Sequence, residues 1–338
     1  MTQRPQMPAR GRRGLAVLSA TAALLAGCSS SPADPSVTIT AAGDIGATPQ
    51  AAAVFALADD LQPDVHLALG DLSYGEIVPE TAWCAFVDEA VGPGFPMALL
   101  AGNHDSADDT DGRIEAFREC LPNRMPGMVG DYGREYTLDL PAGAPLVRII
   151  AASPGLTFDD GRWDYRPQDR HGRWLGQAID EARQQGIAWI VVAAHIPCLS
   201  VGVHDCPDSR DFTDTALAER VDLVLHGHEH SYGRTHQLAL NPDGCPRLVI
   251  AGYAPGCVAD ADGRFAAGRG TVFATVGTGG TALREIARDD PELPYFGAVS
   301  DASHGVLRLH ATPEELTASF EATGTGGFTD AFTIAKGS

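Results

Sequence analysis

Basic charge is scarce in this sequence. One lysine, Lys336, and 23 arginines face 44 acidic residues, giving a formal net charge of −20 over 338 residues. So acidic a chain is a poor candidate for sequence-independent nucleic-acid binding, which needs basic patches to displace counterions. No Cys-x-x-Cys is present, so zinc-ribbon and thioredoxin-like readings lack their signature. The glycine-rich run Gly277-Thr278-Gly279-Gly280 has no Walker lysine after it and is weak evidence of phosphate binding. No internal repeat is visible, and no linker-like composition breaks the chain after residue 36. What the chain does have is 44% hydrophobic and 20% charged residues, enough apolar mass for a sizeable globular core.

The first 27 residues stand apart. Arg4, Arg10, Arg12 and Arg13 form a positive leader, and Gly14 to Ala26 are apolar. That stretch is shorter than the roughly 20 residues a bilayer-spanning helix needs, so it reads as an export signal. It ends in Leu25-Ala26-Gly27-Cys28, which resembles a bacterial lipobox, with Cys28 as the lipidated new N-terminus. The alternative is a soluble secreted protein with a chance cysteine there. Residues 28–36 would then be a flexible tether and 37–338 one folded domain. The leader contains four arginines and no acid, so without it the charge moves from −20 to −24. Arg12-Arg13 also hints at twin-arginine export.

Six cysteines remain: Cys84, Cys120, Cys198, Cys206, Cys245 and Cys257. An even number outside the cytoplasm favours disulfides. Sequence alone leaves all their connectivities open. Pairing of neighbours, 84–120, 198–206 and 245–257, is expected because each pair flanks one loop or helical excursion.

From Val37 the chain reads strand (37–42), helix (51–61), strand (64–69), helix (80–90) and strand (96–101). A helix near 113–120 and strands at 135–140 and 146–151 follow. Next come a helix over 174–185 and strands at 187–194 and 221–225. The last hundred residues read as short strands and glycine-rich loops, closing with 305–310 and 317–321. Polar residues recur where strands end, the edge at which open α/β sheets bind ligands.

Five such pieces carry the chemistry: Gly43-Asp44-Ile45-Gly46, Gly70-Asp71-Leu72-Ser73-Tyr74, Gly102-Asn103-His104-Asp105, Val192-Ala193-Ala194-His195 and Gly227-His228-Glu229-His230. One alone would mean little, since Asp is common in turns and His-x-His at a strand end is more often ordinary than a ligand pair. Together they supply carboxylates, an amide carbonyl, imidazoles and a phenol, donors suited to metals of intermediate hardness. His66, inside an apolar strand, reads as a core residue. His226 reads either as a strand end or as a support to the site, and His171, His236, His304 and His310 fit no pattern.

In this order the five pieces resemble the calcineurin-like metallophosphoesterases, and within them the purple acid phosphatases. Most of that superfamily has Asp-x-His in the first piece, where this chain has Gly46. Purple acid phosphatases replace the lost ligand by a tyrosine three residues after the second aspartate, and Tyr74 stands there. Ser231-Tyr232-Gly233-Arg234 is similar to that group too. The resemblance implies an α/β fold, a four-layer α-β-β-α sandwich of two mixed sheets flanked by helices. It implies two metal ions: Fe(III) held by Asp44, Tyr74 and His230, and Zn, Mn or Fe(II) held by Asn103, His195 and His228, with Asp71 bridging. It implies His104 on the leaving-group side, as phosphate ligand or acid, and His204, in the 198–206 loop, as a second substrate-binding candidate. Cys198 stands where the family usually has an aromatic residue, and no fibronectin-like N-terminal domain like that of the plant enzymes is expected, which leaves substrate range open.

The function expected is hydrolysis of phosphomonoesters outside the cytoplasm by a metal-bound hydroxide, on a protein anchored to the membrane through lipid, with no nucleic-acid partner. Two alternatives stand beside it: a phosphodiesterase acting on cyclic nucleotides or lipid head groups, and a non-catalytic surface lipoprotein on the same scaffold.

Overall fold

The computed structural model describes residues 1–3, 6, 35–204, 206 and 209–337. The export signal, Cys28 and residues 28–34 of the tether expected from the sequence lie outside the described residues, apart from 1–3 and 6.

Two large mixed sheets organise the chain from Asp34 onward. Sheet I runs, edge to edge, Arg264–Ala266, Ala331–Ala335, Glu315–Ala322, Gly305–Ala311, Val37–Ala42, Val65–Ala68 and Met97–Leu99. Sheet II runs Phe296–Ser300, Tyr232–Thr235, Val272–Val276, Leu223–His226, Trp189–Ala193, Val147–Ala151, Glu135–Leu140 and Met128–Asp131. Strand periodicity divides the core between the faces. Val37, Ile39, Leu67, Ile149, Val191 and Leu225 fill the space between the sheets. Ala68, Leu99, Ile150, Val192 and Val224 face outward, against Phe55, Trp83, Phe117, Leu175 and Phe212 of the covering helices. Burial on both faces accounts for the nearly continuous apolar runs in the parallel strands. The four-layer α-β-β-α architecture expected from the sequence is the one observed.

The first crossover shows why the local sequence folds as it does. Thr48 caps the helix Pro49–Asp60, its hydroxyl accepting from Ala51 N, and proline occupies the first turn. Ala51, Val54, Phe55 and Ala58 then repeat at helical spacing and are buried. The helix connects parallel strands Val37–Ala42 and Val65–Ala68, so both strands end at the same edge. Sheet II brings the ends of parallel strands Trp189–Ala193 and Leu223–His226 to that edge as well. Gly43 N–H donates to Val276 O at 2.9 Å across the gap.

The three disulfides are Cys84–Cys120, Cys198–Cys206 and Cys245–Cys257, the neighbour pairing expected from the spacing. Among the described residues, no helix is long and apolar enough to cross a membrane.

Candidate metal centre

The five strand-end pieces converge where the two sheets meet. Their loops are tight: among the described residues, four of the seven non-glycine positions with positive φ are Asp44, Asp71, Tyr74 and His228. Left-handed backbone costs a non-glycine residue free energy, and it persists where surrounding structure imposes it. Two glycines make the approach possible. A Cβ on Gly102 would stand 2.0 Å from Asp71 Oδ1, and one on Gly70 would stand 2.6 Å from His195 Nδ1, at a φ of +90°.

Donor atoms form two adjoining groups. In the first, Tyr74 Oη donates to Asp44 Oδ1 at 2.9 Å and lies 3.0 Å from His230 Nε2. In the second, Asn103 Oδ1 lies 3.2 Å from His195 Nε2 and 2.9 Å from His228 Nδ1. Asp71 Oδ1 is 3.2 Å from His195 Nε2. Outer hydrogen bonds orient two of the imidazoles: His195 Nδ1 donates to Leu69 O at 2.8 Å, and His230 Nδ1 donates to Ala282 O at 3.0 Å. Each therefore turns Nε2 toward the cluster. All seven residues named from the sequence as metal ligands are thus in one place.

Charge in the cluster is finely opposed. Burial raises the Asp44 carboxyl to about 7. Burial would also raise Asp71, yet the charge and hydrogen bond of His195 hold it well below the usual range. Burial would lower His195, but Asp71 lifts it to about 9. Burial pushes His228 down to about 2 and His230 to about 4, so both are neutral donors at ordinary pH. Burial and the charges of Asp44 and Asp71 drive the Tyr74 phenol far upward. Only a cation beside it would favour the phenolate.

A bound metal fits these residues. Asp44 Oδ2 is buried and has no hydrogen-bond partner among the described residues, a costly state for a carboxylate unless a cation faces it. Asp71, His195 and His228 also offer ligand atoms that all lie within 4.8 Å of one another.

The two other candidates flank the cluster. The His104 ring packs at a tilt against Tyr74, with centroids 4.6 Å apart, and its Nε2 is 4.0 Å from Asp71 Oδ2. Its Nδ1 is fixed by Asp111 at 2.7 Å and approached by Asp109 at 3.2 Å. The His204 ring packs at a tilt against His228, centroids 4.2 Å apart, on the opposite flank.

A family model described as calcineurin-like phosphoesterase matches residues 37–232, more than half of the chain and all five strand-end pieces. The chain belongs to the calcineurin-like phosphoesterase family. Among curated relatives of this chain, the Arabidopsis thaliana Fe(3+)-Zn(2+) purple acid phosphatase 12 is 24% identical over 265 residues, covering 72% of this chain and 50% of that protein. The phosphoenolpyruvate phosphatase of Allium cepa is 23% identical over 296 residues, covering 83% and 56%. The chain thus spans about half the length of these relatives. A purple acid phosphatase from yellow lupin (Lupinus luteus) seeds shares the fold with a TM-score of 0.61 at 18% identity, over 90% of this chain and 54% of that one.

Three features of the site escaped the sequence reading. Asp105, fully buried, accepts from Leu72 N at 3.0 Å and Gly102 N at 2.9 Å, tying the second motif to the third. Glu229, also buried, accepts from Ser200 Oγ at 2.7 Å, His204 N at 2.9 Å and Val203 N at 3.1 Å, and so holds the loop that carries His204. The Gly277–Gly280 run braces the first motif: Gly279 N–H donates to Gly43 O and Thr281 N–H to Asp44 O. Asp105 and Glu229 stand inside the Asn-His-Asp and His-Glu-His strings, but nothing in those strings sets their role apart. Of the other histidines, His66 is a core residue bonded to Thr40 Oγ1 at 2.9 Å. His226 packs between Phe212 and Phe273.

Proposed function

We propose that this protein hydrolyses phosphate monoesters at a binuclear metal centre, as a purple acid phosphatase does, and works outside the cytoplasm. The observation that carries the reading is the placement of Tyr74 beside Asp44 and His230, with Gly46 at the position where the superfamily usually has histidine. Asp44, Tyr74 and His230 would hold the first ion, Fe(III), and Asn103, His195 and His228 the second, Zn, Mn or Fe(II), with Asp71 shared. When bound, two such ions supply Lewis acidity that draws charge from phosphoryl oxygens and acidifies water.

The chain's own groups would do the rest. Asp111 fixes His104 through Nδ1, leaving Nε2 to bind a phosphoryl oxygen or donate a proton to the leaving oxygen. His204, held by Glu229, would bind substrate from the other flank. Fixed positions for these groups lower the entropic cost of reaching the reactive geometry. Three disulfides support an oxidising compartment, and Cys28 would carry the lipid anchor.

Steady-state rates of the metal-loaded full chain on p-nitrophenyl phosphate and on bis(p-nitrophenyl) phosphate test the reading. The expected result is a kcat/KM for the monoester at least tenfold the diester's, abolished by chelation and restored by metal. A diester preference would move the assignment to phosphodiesterase. No turnover of either ester by fully metallated protein would leave a non-catalytic scaffold.

A further inference from the structure

We infer that Arg284 is a phosphate-binding and specificity-determining residue that makes the site favour dianionic monoesters over monoanionic diesters, an inference that rests on the phosphatase reading above. Arg284 follows the loop that braces the first motif, and its own N–H donates to His230 O at 2.9 Å. Two residues earlier, Ala282 O receives His230 Nδ1. Residues 282–284 are thereby wrapped around a ligand histidine.

This cation is uncommitted. Arg284 is half-buried, and among the described residues its side chain has no hydrogen-bond or ion-pair partner. Other arginines differ: Arg288 pairs with Asp301, Arg234 with Asp330 and Arg210 with Asp214. In so acidic a chain an arginine has many carboxylates to choose from, so an unpaired guanidinium on a segment bonded to the ligand histidine His230 is suited to an incoming anion. A guanidinium fork matches the oxygens of a phosphoryl group and binds them in bidentate fashion. A monoester dianion offers more charge and more free oxygens than a diester, whose second ester bond removes both. His104 and His204 stand on the Tyr74 and His228 flanks, leaving the His230 flank to Arg284.

Arg284→Met and Arg284→Lys in the full chain, with rates normalised to bound metal, test the inference. A lost charge-assisted hydrogen bond corresponds to roughly a tenfold effect or more. Arg284→Met is expected to lower kcat/KM about tenfold or more on p-nitrophenyl phosphate, and about threefold or less on the bis-ester. Binding of inorganic phosphate, read by calorimetry without turnover, is expected to weaken by a similar factor, with Arg284→Lys intermediate in both readouts. Equal losses on the two esters, or unchanged phosphate affinity in both variants, would overturn the inference. Neither result would touch the phosphatase reading, which fails only if the metallated wild-type protein turns over no monoester.

Discussion

At position 74 a phenol oxygen lies 2.9 Å from Asp44 Oδ1 and 3.0 Å from His230 Nε2, where a cation would find three donors of different chemistry. The backbone at Gly46 shows why the donor comes from Tyr74. Gly46 has a φ of +71°, and a Cβ there would stand 2.8 Å from Glu76 Oε2, so a histidine at 46 would be strained. A phenolate on Fe(III) gives a tyrosinate-to-iron charge-transfer band. Tyr74→Phe keeps the ring and removes the oxygen. It is expected to bleach that band, weaken iron retention and reduce turnover by more than the 10-fold to 100-fold typical of outer-shell changes. Visible spectra of matched, metal-loaded samples check this, and a band that survives in Tyr74→Phe would sink the purple-phosphatase assignment. The donor residues were legible in the sequence because each metal-ligand type has a recognisable short context. Asp105 and Glu229 were not, because a buried carboxylate that accepts backbone N–H groups looks in sequence like any acid beside a histidine.

The element that carries His204 is a loop closed by Cys198–Cys206 and held inside by Glu229. A Cβ on Gly202 would stand 1.9 Å from Glu229 Oε2, so the loop passes close over that carboxylate. In Glu229→Gln one acceptor oxygen becomes a donor facing donors. Losing charged hydrogen bonds worth about 1.5–3 kcal/mol each is expected to lower kcat/KM on a monoester about tenfold while metal content stays at the wild-type level. An unchanged kcat/KM would remove Glu229 from the account of how His204 is placed. Legibility also varied among the elements. The strand Glu135–Leu140 was read to the residue, and Val37–Ala42 likewise, because Pro141 directly follows the one and Gly43 the other. The helix Arg210–Ala218 was missed, since Phe212, Ala216 and Leu217 are its only large buried apolar signal and Ser209 makes no side-chain cap. The helix Arg170–Gln184 begins four residues before the expected Trp174, because its first turn buries His171 and Gly172.

For the whole molecule, the order of strands was the least legible feature. Val37 pairs with Ala311, bringing the first strand of the domain against one from its C-terminal end. Many strands are apolar enough to pair with many others, so pattern alone does not choose the partner. The fold class was readable because strand–helix–strand alternation near the N-terminus implies parallel pairing. The disulfides were readable because each spans a short excursion. At this scale the proposed anchor has a direct check. Cys28→Ser is expected to move the protein from the membrane fraction to the soluble one with specific activity unchanged. A variant that stays with the membrane would contradict lipid attachment at Cys28.

Everything proposed for catalysis depends on two cations held by seven side chains from both sheets. Elemental analysis of the purified full chain, grown with iron and zinc and freed of loosely bound ions, tests this most directly. The account predicts about two metal ions per chain, as binuclear catalysis requires. One ion per chain, or none, would contradict it.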